Sequence, residues 1–132
     1  MSLENVEIVL REYVAFATRD WAALAEIWHP EIEYEVLMGA GTFRGVDQIT
    51  RFFDSYSNLY ADFRVEAEEI VAAGDQVVAV ERLAGRGVMG SDVGTWLNET
   101  FARLITFKEG KIWRAKEYST RAEALEAVGL SE

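Results

Sequence analysis

The stretch from Phe63 to Ser119 constrains this chain most, because it is a succession of β-forming runs divided only by turn signals. Residues 62–72, 76–86, 95–107 and 111–119 read as strands, and the AGD at 73–75 reads as a turn. KEGK closes a hairpin between the last two strands, and a type I turn with Gly110 in a bulge at positive φ fits it. A sheet made of adjacent hairpins must hide at least one face, and only the helices that precede it are available. Charged residues interrupt its apolar rows. Buried polar groups cost free energy unless they pair or act, so Glu99, Arg103 and Glu117 become the candidate catalytic residues.

Two amphipathic helices open the chain. Ser2 is placed to cap the first, with Glu4 in its first turn. Val6, Val9, Tyr13, Phe16 and Ala17 recur at helical spacing. Asp20 caps the second, whose buried side carries Leu24, Ile27 and Trp28, and Pro30 marks its end. EIEYEVL, residues 31–37, alternates as a strand broken by Gly39 and Gly41. GTFRG then leads into a third helix with an aromatic stripe of Ile49, Phe52, Phe53, Tyr56 and Tyr60. Thr120 and Glu123 have capping-box spacing for a last short helix. The order α-α-β-α-β-β-β-β, with that terminal helix, predicts an α+β fold in one domain spanning residues 1–132.

Composition narrows the function classes. A formal net charge of −10 opposes binding to phosphate backbones and to anionic membranes. With no cysteine and one histidine, thiolate chemistry and a zinc site lack their ligands, so neither metal nor cofactor is expected. The N-terminus lacks the pattern of a signal peptide, and no apolar run reaches membrane-spanning length, so a cytoplasmic location is expected.

YVAFATRDWAALAEIW, HPEIEYE, GTFRG, ITRFF and the closing FKEGKIWRAKEYSTRAEALEAVGL together resemble the SnoaL-like proteins, nearly along the whole chain. That superfamily also includes nuclear transport factor 2, ketosteroid isomerase and polyketide cyclases. The resemblance implies a cystatin-like cone: three N-terminal helices on a strongly curved, mostly antiparallel sheet, with a pocket in its mouth and many members dimeric through the sheet's outer face. It does not carry the isomerase's chemistry. Aligned on ITRFF, the general-base aspartate falls on Val36, the oxyanion-hole tyrosine on Glu12 or Tyr13, and the second acid close to Arg103. The aspartate that many polyketide cyclases carry after the last strand is replaced by Thr120. Of the epoxide-hydrolase set, Arg103 stands for the arginine, and Glu99 or Glu117 is the available carboxylate; the paired aspartates are not visible as a set.

With a three-residue hairpin loop, Arg103 lies opposite Ala115 and Phe101 opposite Glu117, which makes Arg103 and Glu117 diagonal neighbours. On the family register their face, with Glu99, Trp113 and Ser119, points into the cone. Charge pairing is then expected to outweigh burial and to keep Glu117 ionised at pH 7. Tyr13, Phe16, Trp28, Tyr34, Val36, Phe52, Phe53, Tyr56 and Phe101 are the expected apolar lining, and a small apolar molecule the expected ligand.

Other features read blandly. His29 is a cation at a helix end, Glu31, Glu33 and Glu35 form a solvated row, and GRGVMG precedes a strand and so is no dinucleotide loop. Strands 76–84 and 95–107 are apolar on both sides, so a homodimer is expected to cover the second row. A cofactor-free acid/base enzyme and a non-catalytic binding module both remain open.

Overall fold

Each sequence run becomes one element in the computed structural model, which describes residues 2–37, 41–88 and 93–130. The order is α1 (Ser2–Ala17), α2 (Trp21–Ile27), β1 (Trp28–Val36), β2 (Gly41–Arg44), α3 (Val46–Ser57), β3 (Tyr60–Ala73), β4 (Gln76–Gly87), β5 (Trp96–Lys108), β6 (Lys111–Tyr118) and α4 (Arg121–Ala127). One six-stranded sheet has the spatial order β2-β1-β6-β5-β4-β3. β1 and β6 are parallel; every other neighbouring pair is antiparallel. Bulges interrupt β3–β4 at two places and β5–β6 at one, and each sharpens the local twist of these long strands. The result is the α+β cone, open rather than closed.

Helices α1, α2 and α3 cover the concave face. Val9, Phe16, Leu24, Ile27 and Ile49 meet Trp28, Ile32, Tyr34, Val77, Ala79, Ile105 and Ile112 in one core. On α1 it is Ala15, not Ala17, that turns inward. The predicted caps form at Asp20, which accepts from the Ala23 amide, and at Thr120, which accepts from the Glu123 amide. The Ser2 cap, Gly39 and residues 89–92 of the glycine-rich connection lie outside the described residues. Gly85 and Gly87 belong to strand β4, so neither of them opens a helix.

Three differences from the sequence reading matter. Strand β2 was not foreseen, because four residues between glycines are too short to show alternation. The β5–β6 hairpin has a two-residue turn, Glu109-Gly110, with both residues at positive φ (56° and 76°) and a bulge beyond it. And α4 lies on the outer face of the sheet, where Ala124 and Leu125 bury Val78, Val80 and Ala102. Val78 and Val80 of the second apolar row of β4 are thus covered within the chain. No helix among the described residues is long and apolar enough to cross a membrane.

Candidate functional site

Depth in the cone can be followed along β5. Glu99 is exposed, Phe101 and Arg103 are 8% and 3% exposed, and Ile105 is fully buried. The first three line a cavity of about 540 Å³. Its walls come from α1 (Glu12, Tyr13, Phe16), β1 (Trp28, Tyr34, Val36), α3 (Phe52, Phe53, Tyr56), β4 (Glu81, Leu83) and β6 (Glu117), with Ser119 just beyond that strand. Aromatic rings dominate the helical side. Phe53 meets Phe16, Tyr34 and Phe52 edge-on at 5.2–5.5 Å, and Phe52 stacks on Tyr56 at 6.0 Å.

At the floor sits a closed ionic network. Arg103 donates from Nη2 to Glu12 Oε1 at 2.7 Å and from Nη1 to Glu12 Oε2 at 3.2 Å. The same Nη2 lies 3.0 Å from Glu81 Oε2. The Trp28 indole donates to Glu12 Oε2 at 2.8 Å, and the Tyr13 hydroxyl donates to Glu81. Rings add to this, with the guanidinium carbon 5.4 Å from the centroid of Tyr13 and 5.8 Å from that of Tyr34. Burial raises the Glu81 carboxyl above its ordinary value, and Arg103 acts against that. For Arg103 burial works against the charge, yet the two carboxylates beside it raise its pKa well above normal. Within this network Arg103 Nε is left without a hydrogen-bond partner.

Glu117 stands apart from this network. The bulge at Trp113 brings Arg103 directly opposite Glu117, rather than diagonal to it. Even so, the guanidinium turns the other way, toward α1 and β4, and the expected Arg103–Glu117 ion pair does not form. Glu117 instead accepts from the Leu37 amide at 3.0 Å and hydrogen-bonds with Tyr34. Burial pushes its carboxyl up to about 7, and the Leu37 hydrogen bond opposes this only in part. The expected charge pairing therefore does not hold Glu117 ionised, since Arg103 is already committed to Glu12 and Glu81.

Of the residues singled out from sequence, Glu99, Arg103, Glu117, Tyr13, Phe16, Trp28, Tyr34, Val36, Phe52, Phe53, Tyr56, Phe101 and Ser119 all border the cavity. Trp113 does not. It is the extra residue of the bulge, so Ile112 takes the core position and the Trp113 indole lies beside Lys108 and Arg114. His29 belongs to β1, not to a helix end. Its Nδ1 accepts from the Glu31 amide, and its Nε2 lies 2.7 Å from Glu109. Glu33 and Glu35 pair with Arg44 and Lys116, away from the cavity. Glu81 was missed, although it follows Val77 and Ala79 on the inward row of β4.

The sequence profile of the SnoaL-like domain family matches residues 9–115. The chain belongs to the SnoaL-like family. An uncharacterised protein of Mycobacterium tuberculosis is 31% identical to this SnoaL-like domain over 129 residues, covering 93% of this chain and 94% of that one. Among solved structures, a SnoaL-like polyketide cyclase candidate from Jannaschia sp. CCS1 superposes with a TM-score of 0.79 at 20% identity, over 99% and 95% of the two chains. A ketosteroid-isomerase-like protein from Catenulispora acidiphila, solved with trimethylamine, gives 0.73 at 20% identity over 94% and 93%. At these identities the structures carry the fold alone.

Val36 is a half-buried wall residue with no proton to exchange. Thr120 serves as the α4 cap, its Oγ1 accepting from Glu123 N at 3.1 Å. The acid/base group that remains on the cavity wall outside the ionic network, and that titrates near neutrality, is Glu117.

Proposed function

We propose that this SnoaL-like domain binds a small, mostly apolar molecule in the cone and moves a proton on it through Glu117. One observation carries the reading: a largely buried carboxyl, uncommitted to any cation, whose pKa lies at about 7. A carboxylate in that range can accept a proton near neutral pH and return it, which is what general acid/base catalysis requires. Aromatic walls around it suit an apolar substrate. Tyr34, its phenol kept protonated by burial, is a hydrogen-bond donor within the same wall. Arg103 holds the floor together through Glu12 and Glu81, and Glu99 stands at the mouth. A homodimer through the part of the outer sheet face beyond α4 belongs to the proposal; sedimentation as a 14.9 kDa monomer would remove it.

The competing reading is a binding module without turnover, favoured by the absence of the isomerase's base at Val36. A thermal-shift screen of small apolar compounds, followed by product analysis on each hit, separates the two. Turnover that disappears in Glu117→Gln while binding persists supports catalysis. Hits that bind the wild type and are never converted support the module.

A further inference from the structure

The charge balance of the cavity wall bears on what kind of molecule enters it, given the pocket reading above. Four carboxylates line the cavity: Glu12, Glu81, Glu99 and Glu117. Arg103 is the sole lysine or arginine among the described lining residues. Its terminal nitrogens are directed to Glu12 and Glu81, so it offers no free charge to a ligand. Neither Glu99 nor Glu117 makes an ion pair within the described residues. An anionic ligand would meet repulsion there with nothing to offset it.

Around these two carboxylates the wall is aromatic. Tyr56 lies close enough to both that each helps to keep its phenol protonated, after burial and the neighbouring Tyr60. Phe52 stacks on Tyr56 with an interplanar angle of 15°. Carboxylates beside ring faces attract a cation by two routes, charge pairing and the quadrupole of the ring. The chain's net charge of −10 adds a long-range field of the same sign.

We propose that the ligand is an organic ammonium, with an apolar body in the aromatic interior and a positive nitrogen held near the mouth by Glu99, Glu117 and the ring of Tyr56. The inference concerns ligand charge, and it can fail while the pocket reading survives.

The test compares three probes of similar size by NMR titration at pH 8 and low salt: phenyltrimethylammonium, its neutral isostere tert-butylbenzene, and benzoate. The ammonium is expected to bind at least about tenfold tighter than tert-butylbenzene, with benzoate weakest. That tenfold corresponds to about 1.4 kcal/mol. E99Q and E117Q should each reduce the preference, and the double variant should abolish it. If tert-butylbenzene binds as tightly as the ammonium, or benzoate binds tightest, the ligand class is wrong and the pocket reading stands. If no probe shifts the resonances of Trp28 and Tyr56, both fall together.

Discussion

At the floor of the cone Glu12 and Glu81 close around Arg103, with Trp28 and Tyr13 donating to them, whereas on the neighbouring strand Glu117 faces the cavity with only a backbone amide and Tyr34 as partners. Both groups are buried, and both lie on the same curved sheet. They differ in who reached the arginine first. A guanidinium has five donors in a fixed plane, and two carboxylates on one side of it leave little for a third. Burial is therefore opposed by a cation at the floor and left to act on Glu117, which places its pKa at about 7. Position on the sheet decides less here than the allocation of one cation.

The harshest way to break the contrast is Arg103→Met. It strands two buried carboxylates and should cost about 3–5 kcal/mol at pH 8, read from the denaturant midpoint. The loss should shrink as pH falls, because removing Arg103 takes away the charge that opposes the burial-driven rise of the Glu81 carboxyl, and protonation then relieves the unpaired charge. Adding Glu81→Gln should restore part of it. Adding Glu117→Gln should restore less than Glu81→Gln does, because Glu117 feels the charge of Arg103 without forming an ion pair with it.

Glu117→Gln inverts the sign. A carboxyl raised in the folded state contributes stability that is present below its unfolded value and lost as pH rises through its folded one. For Glu117 that window runs from 4.5 to about 7. The variant should thus be more stable than wild type at pH 8, by on the order of 3 kcal/mol, and about equal to it near pH 4. Its removal should also end any turnover.

Trp28→Phe sharpens the comparison from the floor. Glu12 Oε2 loses its indole donor, which should cost about 1–2 kcal/mol. Ligand preference at the mouth should be unaffected. The smallest effect is expected for Glu99→Gln: exposed and outside the network, it should stay within about 0.5 kcal/mol of wild type.

The fold could be read from sequence because its cues are local and repeated. Helical stripes at Val6, Val9, Tyr13 and Phe16, alternation at Ile32 and Tyr34, and caps at Asp20 and Thr120 each specify one element independently. The site was harder. A two-residue turn and a bulge at Trp113 shift β6 by enough to move a tryptophan off the cavity wall, and nothing in KEGKIWR marks the extra residue. Glu12 meets Arg103 across 91 residues of chain, a contact that no period predicts. Glu81 was legible in principle, since the inward row of β4 that holds Val77, Ala79 and Leu83 passes through it. The outer cover by α4 was also within reach, but a seven-residue helix gives no sign of which face it will take.

The account rests on Glu117 being free of Arg103, and its titration tests this most directly. The ¹³C carboxyl resonance of Glu117, assigned by its absence in Glu117→Gln, should be followed from pH 3 to pH 9. The account predicts a midpoint near 7. A midpoint at or below the ordinary carboxyl value of 4.5 would mean that Arg103 pairs with Glu117 after all, and the division between floor and wall would be wrong.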